Sequence, residues 1–101
     1  MSEKMTDTAI LDEIWETILS RIENPPEKSY VLDILNHRKG MDKALEKVGE
    51  EATEFIIAAK NDSYERKVEE AADLLFHLIL ALKATDVEFA DVLAELEKRH
   101  R

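Results

Sequence analysis

Apolar residues recur along this chain at steps of three and four, the spacing of one face of a helix, and nowhere in the strict alternation of a strand. The first such stretch holds Ile10, Leu11, Ile14, Trp15, Ile18, Leu19 and Ile22, a double row. It predicts a helix capped by Asp7 or Thr8 and running to Ile22 or Glu23. Trp15 lies within the row and reads as core rather than as a ligand-stacking ring. Asn24-Pro25-Pro26 ends the helix, because proline cannot continue it and restricts the residue before it.

A short second helix follows Ser29 as cap and closes at Gly40, placed for a left-handed C′ residue. Its basic run His37-Arg38-Lys39 suits the negative end of a helix dipole, with a phosphate-facing patch as the alternative. A long third helix is expected from about Met41 to Ala59 or Lys60. Leu45, Val48, Ala52, Phe55, Ile56 and Ala59 line its core side, and Lys43, Lys47, Glu50, Glu51 and Glu54 lie roughly opposite. Lys60-Asn61-Asp62-Ser63 is the turn, and Asp62-x-x-Glu65 has the form of a capping box for a fourth helix reaching about Lys83. So short a connection makes these two helices antiparallel neighbours. A last helix, from about Asp86 to Lys98, is expected to start on a Thr85-x-x-Glu88 capping box. Phe89, Val92, Leu93 and Leu96 form its stripe.

The elements predict an all-α fold, an antiparallel bundle of four to five helices in one domain over 1–101, with 1–6 polar and frayed. Composition agrees: 101 residues hold only two glycines and two prolines. A net charge of −9 argues against nucleic acid as a partner. The absence of cysteine excludes disulfides, thiolate metal sites and a cysteine nucleophile. No stretch is apolar enough for a signal peptide or a membrane span, so the expected location is the cytoplasm.

Two acid patterns stand out on the predicted hairpin. Glu50-Glu51-Ala52-Thr53-Glu54 is E-E-x-x-E; Glu70-Ala71-Ala72-Asp73 is E-x-x-D, followed by His77. Glu70, Asp73 and His77 share one narrow row. Between Ala71 and Leu82 the only polar residues are Asp73 and His77, which predicts a helix buried nearly all round and a carboxylate at Asp73 in need of a partner. Glu54 and Glu70 lie at similar depths, roughly 10–12 Å from the bend at 1.5 Å per residue. The bland reading of the first cluster is a solvated face of Lys–Glu pairs, although Lys47 precedes Glu51 in the less favourable order. The chemical reading is a divalent cation. Carboxylates brought to one level repel unless a hard cation joins them, and such a cation also meets phosphate oxygens. Asp-x-x-x-His in place of the Glu-x-x-His of di-iron bundles favours Mg²⁺ or Mn²⁺ over iron. A cation with a spare carboxylate to orient or deprotonate water suits phosphoanhydride hydrolysis.

These residues carry a resemblance. E-E-x-x-E, fifteen residues, then E-x-x-D on paired helices is similar to the signature of the all-α nucleoside-triphosphate pyrophosphatase (MazG-like) superfamily. More narrowly, Ser29-Tyr30, Gly40, Lys47-Val48-Gly49-Glu50-Glu51-Ala52, Ala58-Ala59-Lys60-Asn61 and Glu70-Ala71-Ala72-Asp73-Leu74-Leu75-Phe76-His77-Leu78 resemble the phosphoribosyl-ATP pyrophosphatase family of histidine biosynthesis. Phe76 stands where that family commonly has tyrosine. The resemblance implies Mg²⁺-dependent hydrolysis of phosphoribosyl-ATP to phosphoribosyl-AMP and pyrophosphate, by a homodimer whose helices complete the bundle. By position it implies Glu50, Glu51, Glu54, Glu70 and Asp73 as metal-binding acids, one of the first three also activating water. It makes Lys47, Lys60 and Asn61 candidates for phosphate or ribose. His77 is either a substrate contact or a buried histidine satisfied by Asp73. Two other readings compete: a house-cleaning pyrophosphatase for free nucleoside triphosphates, and a non-catalytic helical dimerisation module with surface acids.

Overall fold

The computed structural model describes residues 7–61 and 63–100, which form five α-helices and no strand. They are α1 (Ala9–Glu23), α2 (Tyr30–Leu35), α3 (Met41–Asn61), α4 (Tyr64–Ala84) and α5 (Phe89–Arg99). The expected fraying of 1–6 and the proposed cap Asp62 fall outside the described residues. No helix among those described is long and apolar enough to cross a membrane.

Several helix ends have a local reason. Thr8 holds the N-cap position of α1 without a side-chain bond, and the Asp7 carboxylate just before it accepts the Ala9 N–H at 2.9 Å. Ser29 caps α2 through the Leu32 N–H at 3.2 Å, and Ser63 caps α4 through the Arg66 N–H at 3.3 Å. Gly40 does adopt a left-handed φ of 64°, but it closes a separate turn with His37 rather than α2. The second helix already stops at Leu35, and the run His37-Arg38-Lys39 sits in that turn, where Lys39 pairs with Glu46 at 3.1 Å.

Thr85 also differs from its expected part. It ends α4 instead of opening α5, its hydroxyl donating to the carbonyls of Ala81 and Leu82. Asp86 then takes φ 60°, Val87 N–H bonds Leu82 O at 2.8 Å, and Asp86 N–H bonds Lys83 O at 3.2 Å. This is a Schellman closure with aspartate in the place glycine usually holds. The carbonyls left over at the end of α4 draw in the threonine before α5 can use it.

The apolar core sits between α1, α2, α5, the start of α3 and the second half of α4. Ile18 and Leu80 are wholly enclosed, and Trp15 stacks on Phe89 with ring centroids 5.9 Å apart. Full burial of side chains such as these stabilises by roughly 1.5–3 kcal/mol each. Trp15 is core, as its row implied.

The hairpin α3–α4 packs differently. The buried line on α3 is Ala44, Glu51 and Ala58, with Val48 and Phe55 partly covered between them. Leu45, Ile56 and Ala59, expected inside, are exposed. Alanines let the two helices approach closely, which brings the acid row of α3 inward and turns its bulkier apolar row out. The helix α4 is likewise not covered all round, since Val68, Leu75 and Leu78 are exposed.

Candidate functional site

Where α3 faces the first half of α4, three carboxylates meet. One oxygen from each of Glu51, Glu70 and Asp73 lies within 4.8 Å of the others. Glu51 and Glu70 are buried at 7% and 4% exposure, while Asp73 is exposed. This reverses the burial expected for Asp73: the apolar row beside it stays uncovered by this chain, and the desolvated acids are its two neighbours. At an effective dielectric near 20, two unit charges at this separation repel by about 3–4 kcal/mol.

Two cations offset part of that. Lys47 Nζ donates to Glu50 Oε1 at 3.1 Å and stands 3.6 Å from Glu51 Oε2. The ammonium pKa is raised, first by that bond to Glu50 and against some desolvation. Arg66 Nη2 donates to Glu70 Oε2 at 2.7 Å. Both pairs run base before acid, the weaker order on a lone helix. Arg66 went unmarked in the sequence; an i,i+4 partner for Glu70 was its only signal.

Glu70 Oε1 has no such partner. Among the described residues it is the buried side-chain oxygen without a hydrogen bond. A carboxylate oxygen desolvated in this way is costly, by roughly 1–3 kcal/mol. Glu70 belongs to the set with Glu51 and Asp73, and an all-oxygen set is what a hard divalent cation takes. The residues present fit such an ion.

The other expected residues are placed around this centre. Glu50 is turned to Lys47, and Glu54 is exposed on α3; both stand outside the three-carboxylate set. Lys60 is exposed near the end of α3, and Asn61 Nδ2 donates to its own helix at Ile57 O, 3.1 Å. His77 is buried, and its partner on Asp73 is the backbone carbonyl, 2.7 Å from Nδ1, not the carboxylate. A carbonyl only accepts, so Nδ1 carries a proton. The other ring nitrogen, Nε2, lies 2.6 Å from the Tyr30 hydroxyl.

Tyr30, from α2, is thus brought to the site by a contact that the spacing along the chain did not indicate. Its ring meets Phe76 at 6.2 Å and His77 edge-on at 5.6 Å. Burial holds its phenol pKa above 10.0, with Lys47 pulling the other way and Glu51, Glu50 and Asp73 adding to the rise.

The chain has clear relatives. A family model described as Phosphoribosyl-ATP pyrophosphohydrolase matches residues 11–100. A protein of Methanosphaerula palustris named phosphoribosyl-ATP pyrophosphatase is 59% identical over 97 residues, covering 96% of this chain and 98% of its own. Proteins with the same name from Methanoculleus marisnigri and Methanocorpusculum labreanum are 58% and 56% identical. They cover 96% and 94% of this chain and 100% and 92% of their own.

Proposed function

This chain belongs to the phosphoribosyl-ATP pyrophosphohydrolase family, and we propose on that basis that it hydrolyses phosphoribosyl-ATP to phosphoribosyl-AMP and pyrophosphate, the second step of histidine biosynthesis. The observation that supports this chemistry best is the buried, unpartnered Glu70 Oε1 beside Glu51 and Asp73. These three residues would hold Mg²⁺, with Mn²⁺ as a substitute, and Glu50 and Glu54 would stand at the rim. When bound, the ion supplies positive charge against the triphosphate and makes water easier to deprotonate.

The chain's own residues do the rest. Glu50 or Glu54, neither committed to the buried set, takes the proton of the attacking water. Lys47 stands at the same face and offers its ammonium to a phosphate oxygen, exchanging Glu50 for substrate. Lys60 and Asn61, nearly two turns beyond Glu54 on α3, would meet the phosphate chain or ribose. Glu51 and Glu70 stay in place through Lys47 and Arg66.

We further place the working protein in the cytoplasm as a homodimer without nucleic acid. The apolar side chains Leu45, Ile56 and Ile57 on α3 and Val68, Leu75 and Leu78 on α4 are exposed. A 150 Å³ groove between α1, α4 and α5, lined by Leu11, Leu75, Leu82, Phe89 and Leu96, continues that surface. Apolar faces of this extent usually mark association.

Pyrophosphate release from phosphoribosyl-ATP, run beside ATP and dCTP with Mg²⁺ and with chelator, tests the reading. Metal-dependent release from phosphoribosyl-ATP alone supports it. Release from the plain nucleotides in its place assigns a house-cleaning role, and no release by a folded protein leaves a helical association module.

A further inference from the structure

His77 and Tyr30 do not belong to the carboxylate set, yet they are joined to it through one backbone carbonyl. The chain of contacts runs from Asp73 O to His77 Nδ1 at 2.7 Å, and from Nε2 to the Tyr30 hydroxyl at 2.6 Å. The first contact fixes where the protons are. With Nδ1–H donating to the carbonyl, a neutral ring has only a lone pair at Nε2, so the phenol must donate. Both rings are held in this arrangement by Phe76, whose centroid lies 5.2 Å from His77 and 6.2 Å from Tyr30.

A phenol has one proton. Once that proton points at His77, the oxygen can present only lone pairs to its open side. Tyr30 is half exposed, and the charges it feels are Lys47, Glu50 and Glu51 from α3 and Asp73 from α4. We propose that Tyr30 offers the reacting complex a hydrogen-bond acceptor and no donor, with His77 the positioning residue that keeps it so. Its partner is therefore a donor, among the reacting groups the attacking water or a ribose hydroxyl, and never an ionised phosphate oxygen. An ordinary tyrosine would compete with Lys47 for phosphate; this one directs phosphate to the lysine. The inference rests on the hydrolase reading above and deepens it.

Two measurements test it, and one needs no turnover. In the metal-free protein, nitrogen NMR of His77 should show a protonated Nδ1 and a bare Nε2 that loses its bonded shift in Tyr30→Phe. A proton on Nε2 overturns the proposal, whatever the protein catalyses. The second measurement compares kcat and KM of Tyr30→Phe, which keeps the ring and its stacking, with those of the parent. Loss of one hydrogen bond in the reacting complex predicts a fall in kcat/KM of about tenfold or more. A drop confined to kcat identifies water. A rise in KM that disappears with a deoxyribose substrate identifies the ribose hydroxyl. Constants within twofold of the parent on every substrate overturn the proposal. A parent that releases no pyrophosphate sinks the hydrolase reading but leaves the NMR result standing.

Discussion

Helix α4 lives in two different media. Its second half buries the apolar side chains Ile79, Leu80 and Ala81 in one cluster with Trp15, Ile18 and Phe89. Its first half buries Glu70 against Glu51 and leaves an oxygen unpartnered. His77 marks the boundary, with both ring nitrogens engaged. The apolar half lowers the free energy of the fold, and the acid half raises it. A helix carrying only the first kind of burial would be steadier and would bind nothing.

That contrast is broken most forcefully at the acids. Glu70→Gln or Asp73→Asn should cut turnover by about a hundredfold or more, a loss of roughly 3 kcal/mol in the transition state. The same change relieves repulsion, so the thermal midpoint in chelator should hold or rise. A variant that loses stability and keeps activity would invert the comparison. Leu80→Ala should do the reverse. Leaving a cavity beside Ile18 is expected to cost about 2–5 kcal/mol, read by urea denaturation, while kcat of the folded fraction is kept.

Ligand linkage sharpens the same line. Saturating Mg²⁺ at a hundred times its dissociation constant should add about 2.7 kcal/mol to the parent. Calorimetry should find that gain absent in Asp73→Asn and intact in Leu80→Ala.

Smaller effects come from the ends of the helix and from Tyr30. Asp86→Gly removes a side chain from a left-handed φ of 60° and should stabilise by about 0.5–1 kcal/mol. Tyr30 has a raised pKa, so its contribution is fully present below pH 10 and fades as pH climbs through the folded value. An absorbance titration of the parent minus that of Tyr30→Phe should place its ionisation above pH 10.

Most of this architecture was written in the chain. Periodicity and capping residues located the helices, and the short turn between α3 and α4 set the two acid clusters at a shared level, although the acid expected opposite Glu70 was Glu54 and the one found there is Glu51. What periodicity does not contain is which of two apolar rows gets covered. On α3 the row of Leu45 and Ile56 looked like the core, yet Ala44 and Ala58 took that place because small side chains permit the closer approach. Asp73 looked enclosed for the same reason: Leu75 and Leu78 are apolar, but this chain alone does not cover them. Thr85 matched a helix start by composition and lost to the nearer carbonyls of Ala81 and Leu82. Tyr30 and His77, 47 residues apart, touch only because the fold is complete.

The line Ala44, Glu51, Ala58 advances by one heptad at each step, with the acid in the middle. Sliding α3 along α4 by seven residues would set an alanine against Glu70 and drive Glu51 against apolar neighbours. Each acid would keep the cation of its own helix, Lys47 or Arg66, but the two would lie too far apart for one ion to join them. Without an ion the aligned pair repels; with one shared between Glu51 and Glu70 this alignment would become the favoured one, as a polar residue in the seam of a coiled coil fixes how its strands line up. The residues that weaken the folded state would thus also help to choose it.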